Sequence, residues 1–154
     1  MLAQKSQRGT LNIEAMSLLT ALQAAPYFWQ MEHSPGFLKL VNDVRPHVKE
    51  ISIDEARERL AKNSQAVLLD VREDSEWEKG HAVQAVHLGK GILERDLESK
   101  FPDPNREIIM YCGGGYRSVL TAEAAQKMGY RNVYSLKGGY KGLVQAQWPM
   151  KSGD

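Results

Sequence analysis

Ile108-Ile109-Met110-Tyr111 runs without a break into Cys112-Gly113-Gly114-Gly115-Tyr116-Arg117-Ser118, and a helical pattern follows with Leu120, Ala124 and Met128 on one face. A short apolar run of this kind reads as a strand buried on both faces of a parallel sheet. The helix is expected from about Arg117 to Met128, with Gly129 as its C-terminal stop. Strand, glycine loop and helix in this order form the unit of an α/β fold. Such folds bind ligands beyond the carboxyl ends of the strands, where amides at helix starts lack partners. Cys112 falls at that place. Three glycines let the loop turn its N–H groups inward without side-chain obstruction, around one point, the cysteine sulfur.

Outward from this loop, strands and helices alternate. Ser52-Ile53-Asp54-Glu55 reads as a capping box opening a helix to about Lys62. Ala66 to Leu69 is a buried strand closed by Asp70, residues 74 to 79 a short charged helix, and Ala85 to Leu88 another strand. Leu93, Leu97 and Phe101 suggest helical turns before the Pro102-Asp103-Pro104 breaker. Val133 to Leu136 is the last strand, and Gly138-Gly139 turns into a final short helix ahead of Pro149. The expectation is an α/β domain over residues 48–150, its sheet mostly parallel and covered by helices on both faces.

Residues 1–47 read as an N-terminal helical extension. Leu11, Ala15, Leu18, Leu19 and Leu22 keep helical spacing up to Pro26, before Tyr27, Phe28 and Trp29. Ser34-Pro35 starts a second helix carrying Phe37, Leu40, Val41 and Val44 up to Pro46. This extension is either an appendage to the domain or a membrane-surface or dimerisation element. It is the expected place for a partner contact.

Composition removes several functional classes. The chain has 154 residues, 42% hydrophobic and 25% charged, with a net charge of +1, as in an ordinary globular domain. Near-neutral charge argues against a nucleic-acid partner. No stretch approaches the roughly 18 apolar residues of a membrane span. Glu14 abuts the early apolar stretch and no clear A-x-A site follows, so a cytoplasmic location is expected rather than export. One cysteine excludes an internal disulfide and a multi-cysteine zinc site. His33, His47, His81 and His87 include no pair at the spacing of a zinc-binding helix face. No metal and no organic cofactor are expected.

Cys112 is read as a nucleophile. A free thiol of pKa about 8.5 is only about 3% thiolate at neutral pH, while a helix N-terminus or a cation brings the value to between about 3.5 and 7.5. A value of about 6.5 would leave roughly three-quarters ionised, a stabilisation of about 2.7 kcal/mol. A helix terminus supplies about 0.3 to 2 kcal/mol of it, so loop amides and Arg117 must supply the rest. An inert buried cysteine would need neither three glycines nor an arginine at the next helix start.

Cys112 to Ser118, CGGGYRS, resembles the active-site loop of the rhodanese-like sulfurtransferases. Leu68-Leu69-Asp70-Val71-Arg72-Glu73 with Trp77, the Gly80-His81, Ala85 and His87-Leu88 block, and Gly129-Tyr130 through Gly138-Gly139 resemble the family's other blocks, in order, over about residues 48 to 147. The resemblance implies a rhodanese-like fold, a five-stranded mostly parallel sheet with helices on both faces. It also implies a cysteine that cycles through a persulfide. Cys112 would take sulfane sulfur from a small-molecule donor such as thiosulfate and pass it to cyanide, a small thiol or a protein thiol.

Carried over by position, Gly113, Gly114, Gly115, Tyr116, Arg117 and Ser118 would form the substrate cradle. Arg117 would bind the donor anion or else pair with Asp70 or another carboxylate. Asp70 would orient the loop or pair with Arg72; His81 would pack and hydrogen-bond. One run departs from the family's His-hydrophobic-Pro-Gly-Ala pattern: His81-Ala82-Val83-Gln84-Ala85 has Val83 for the proline and Gln84 for the glycine, which leaves that turn's geometry open.

Two other functions compete. A cysteine phosphatase or arsenate reductase also uses a thiolate among amides, but phosphatase loops space cysteine and arginine as C-x5-R, and only four residues separate Cys112 from Arg117. A persulfide carrier or redox-sensing module needs the same cysteine as the enzyme. With no second cysteine, oxidised Cys112 would need an external thiol.

Overall fold

The computed structural model describes residues 33–153. The helix expected over Leu11 to Leu22 and the cluster at Tyr27, Phe28 and Trp29 lie outside the described residues. The chain divides into two compact units after Leu38. That boundary falls within helix α1, Pro35–Val44, which a 3-10 turn, Arg45–His47, follows.

Strand β1 is Glu50–Ile51, and helix α2, Ile53–Lys62, begins where Ser52 Oγ accepts from Glu55 N at 3.1 Å, the hydroxyl half of the expected box. Next come β2, Val67–Asp70; α3, Asp74–Lys79; β3, His81–Ala82; and β4, Val86–His87. After a 3-10 turn, Lys90–Ile92, come α4, Leu93–Lys100; β5, Ile108–Tyr111; α5, Arg117–Lys127; β6, Val133–Leu136; α6, Gly139–Gln145; and β7, Met150–Lys151.

Five strands form one parallel sheet in the order β1-β6-β5-β2-β4, with Asp70 opposite Tyr111 and Met110 opposite Ser135. Every residue of β2, β5 and β6 is buried, so both faces of the sheet centre are covered. Parallel pairing brings the carboxyl ends of these strands to one edge, and Cys112 stands at that edge beside Asp70. Among the described residues no helix is long and apolar enough to cross a membrane.

Three expectations change. β2 starts at Val67 and includes Asp70, because Val67 N finds Glu107 O at 2.9 Å and the ladder with β5 runs to Tyr111. The buried face of α5 is Ser118, Val119, Thr121, Ala122 and Ala125. These small side chains let the helix lie close to β5 and β6, while Leu120, Ala124 and Met128 line a surface groove with Leu40, itself 54% exposed. The third change is a ribbon that the periodicity did not show. His81–Ala82 pairs antiparallel with Met150–Lys151.

That ribbon accounts for the altered turn. Val83 N donates to Pro149 O at 3.0 Å, a bond that a proline there would forfeit, and Gln84 Oε1 accepts from Trp148 Nε1 at 3.1 Å. Val83 and Gln84 thus tie the turn to residues 148 and 149 of the chain's own C-terminal segment.

Candidate functional site

Cys112 follows β5 directly and is 1% exposed. The loop closes over its sulfur: Gly115 N lies 3.2 Å and Ser118 N 3.4 Å from Sγ, and Ser118 Oγ stands at 3.5 Å. Among the described residues the amides of Gly113 and Gly114 have no acceptor. Two donors therefore aim at the sulfur, and the Gly113 and Gly114 amides stay open in the same loop.

The turn after β6 braces the loop from behind. Tyr140 N donates to Cys112 O at 2.7 Å and Lys141 N to Gly113 O at 3.1 Å. Such proximity admits no side chain at Gly139, whose φ is +53°; a Cβ there would strike Cys112 O and lie 3.0 Å from Gly113 C and Gly114 N. At Gly115, φ +92°, an added Cβ would lie 3.2 Å from Gly138 N and Leu136 O, a tight approach though less severe than at Gly139. The glycines on both sides are thus a matched pair of backbone surfaces.

Behind Cys112 a buried hydroxyl pair continues inward, with Ser118 Oγ 2.8 Å from Ser135 Oγ. Ser135 is a site residue that sequence reading missed. The available signal was a lone polar residue in the otherwise apolar run Val133-Tyr134-Ser135-Leu136.

Arg117, partly exposed at the start of α5, is paired with a carboxylate. Its Nη1 and Nη2 hold Glu76 Oε2 and Oε1 at 2.8 and 2.9 Å, a bidentate fork. The structure thus takes the carboxylate-paired alternative, with Glu76 of α3 rather than Asp70 as partner. The Arg117 guanidinium holds the Glu76 carboxyl down to about 2, and Glu76 in turn, with Cys112 nearby, raises Arg117. Glu76 was also missed. It sits in a charged helix where several carboxylates looked equivalent by sequence.

Asp70 and Arg72 form a buried pair beside the loop. Arg72 Nε reaches both Asp70 oxygens at 3.1 Å, Nη2 reaches Oδ2 at 2.8 Å, and Nη2 also donates to Gly80 O at 2.6 Å. The guanidinium carbon lies 4.1 Å from the Tyr140 ring centroid. Burial, with the Asp70 carboxylate next to it, pushes the Tyr111 phenol well above its ordinary value. The pair thus links β2, β5, α6 and the Gly80 corner without touching the sulfur. His81 is buried, stacked on Trp77 at 3.4 Å, with Nδ1 2.8 Å from Trp77 O. His87 stacks on the same indole and holds Arg72 O through Nε2 at 2.8 Å. Both histidines serve packing around Trp77.

Comparison with known proteins agrees with this geometry. Residues 52–146 match the model of the rhodanese-like domain. Thiosulfate sulfurtransferase GlpE of Coxiella burnetii is 34% identical over 93 residues, which cover 60% of this chain and 84% of that protein. Putative sulfurtransferase YtwF of Bacillus subtilis is 32% identical over 92 residues, covering 60% of this chain and 86% of the relative. The solution structure of the rhodanese-like domain of Alr3790 from Anabaena superposes with a TM-score of 0.60 at 23% identity, over 67% of this chain and 78% of that one, a likeness of fold. With its five-stranded parallel sheet, its glycine loop at the sheet's carboxyl edge and this match over most of the domain, the chain belongs to the rhodanese-like sulfurtransferase family.

Proposed function

We propose that this chain transfers sulfane sulfur from a thiosulfate-type donor to a thiophilic acceptor through a persulfide on Cys112. The observation that carries the reading is the convergence of the Gly115 and Ser118 amides on Sγ. These donors favour sulfur that carries negative charge, as an oxyanion hole favours charged oxygen. In the first step the thiolate attacks the outer sulfur of thiosulfate, the S–S bond to the sulfonate breaks, and sulfite leaves with the bonding electron pair. The new Cys112 persulfide is anionic, and the open amides of Gly113 and Gly114 suit its outer sulfur. In the second step an acceptor, cyanide or the thiol of a small molecule or protein, attacks that outer sulfur and restores the thiolate.

Arg117 in this reading orders the loop through Glu76 rather than gripping the donor, and Asp70 with Arg72 buttresses it from β2. A free working thiol suits a reducing compartment, the cytoplasm. A second reading, a persulfide carrier loaded by another protein, is favoured by the neutralised Arg117 fork. Intact-mass analysis after incubation with thiosulfate decides between them. One added sulfur, removed by cyanide and absent in Cys112→Ser, is the expected result; no adduct with thiosulfate but loading from a protein persulfide would favour the carrier.

A further inference from the structure

Each arginine that flanks the cysteine loop from β2 or α5 has its fork closed, Arg72 by Asp70 and Arg117 by Glu76. Each therefore already carries a carboxylate on part of its hydrogen-bonding edge. A cleft of about 240 Å3 beside the loop has different chemistry. Its walls include Gly114, Gly115 and Tyr116 of the loop, Lys137 after β6, and Arg45 with Glu50.

Arg45 lies ahead of the residues that match the family, 52–146, and so belongs to this chain's own upstream segment. Glu50 takes Nη1 at 2.5 Å, while the guanidinium carbon stands 5.2 Å from the Tyr116 ring centroid. These two contacts hold the charge at the loop and leave the other guanidinium donors unengaged among the described residues. The Lys137 side chain is exposed and has no ion-pair partner among the described residues. Two cations against one carboxylate give this wall a net positive charge, and its Gly115 backbone already donates to Sγ at 3.2 Å.

We propose that the positive wall of this cleft draws small anionic sulfur donors to the cysteine loop, Arg45 and Lys137 attracting the charged end of the donor as it approaches Cys112. The inference rests on Cys112 being the nucleophile. Arg45 and Lys137 exchange no proton or electron in the transfer; they select donors by charge. Glu50 limits that selection by offsetting one cation.

Alkylation of Cys112 in the full chain tests this without requiring sulfur transfer. Iodoacetate and iodoacetamide attack the same thiolate with loss of iodide and differ in charge, so the ratio of their second-order rate constants reads the cleft. Arg45→Gln and Lys137→Gln should each lower the iodoacetate-to-iodoacetamide ratio roughly three- to fivefold, the size of a partly exposed ion pair, and the double variant about tenfold. Glu50→Gln should raise it about threefold, and added salt should lower the wild-type ratio more than that of the double variant. Arg45→Lys should retain the wild-type ratio. A double variant within twofold of wild type overturns the proposal, as does a fall in the ratio with Arg117→Gln but not with the double variant. If thiosulfate adds no sulfur yet the ratios follow this order, the anion site stands and the sulfurtransferase reading fails. Normal sulfur loading with unmoved ratios does the reverse.

Discussion

Replacing Gly139 by alanine would push a methyl group into the backbone of the cysteine loop, where the neighbours are Cys112 O, Gly113 C and Gly114 N rather than the ends of flexible side chains. Backbone atoms on this side have no room to yield, because Tyr140 N and Lys141 N are bonded to Cys112 O and Gly113 O. The left-handed φ of +53° adds about 1 kcal/mol for any residue with a Cβ. Relief requires the two turns to separate and lose those bonds, each worth about 0.5 to 1.5 kcal/mol, for a total of about 2 to 4 kcal/mol. At this chain length that lowers the melting temperature by roughly 5 to 15 °C.

Separation also displaces the carbonyl behind the sulfur and the amides that aim at it, and a misplacement of about 1 Å costs about a hundredfold in rate. Gly129→Ala isolates the conformational part. Its φ is +103°, but an added Cβ meets nothing within 4 Å. The Gly129 variant should therefore lose about 1 kcal/mol of stability and keep its rate of persulfide formation, whereas the Gly139 variant loses both. Quenched intact-mass kinetics with thiosulfate, beside thermal melts, measure the two quantities. A Gly139→Ala protein that loads sulfur as fast as Gly129→Ala would refute the claim that this turn positions the loop.

Glu76→Gln breaks the Arg117 fork; with both side chains partly exposed the stability loss should be about 1 kcal/mol by chemical denaturation, with slower sulfur loading as the larger effect. Because Glu76 is held down to about 2 from 4.5, its contribution is present above the ordinary carboxylate value and lost as pH falls toward about 2, so wild type and variant should converge in stability across that acid window. Asp70→Asn leaves Arg72 buried opposite an uncharged partner and should cost about 3 to 5 kcal/mol in urea titrations, a loss under 1 kcal/mol contradicting the bracing role. Ser135→Ala removes the second hydroxyl behind the sulfur and should slow persulfide formation about three- to tenfold with little change in melting temperature, Ser135→Thr retaining most of the rate.

Local signals carried the strand, loop and helix around Cys112, because each is written within a dozen consecutive residues: apolar run, glycines, helix pattern. Strand ends at β5 and β6, the bounds of α3 and the placing of Cys112 at the sheet's carboxyl edge follow from such runs. Interactions between residues far apart in the chain were not legible in the same way. Glu76 meets Arg117 across 41 positions, Ser118 meets Ser135 across 17, and Gln84 meets Trp148 across 64. No periodicity records such meetings. Leu120, Ala124 and Met128 also misled for a tertiary reason, since close approach of α5 to the sheet selects the small face over the larger apolar one.

By itself, then, the order of residues determined that one cysteine sits in a glycine loop between a buried strand and a helix, since bond geometry and hydrophobic pattern act over neighbours. Only the folded chain decided which carboxylates meet Arg45, Arg72 and Arg117, because ion pairing depends on distances of a few ångströms between segments brought together by the sheet.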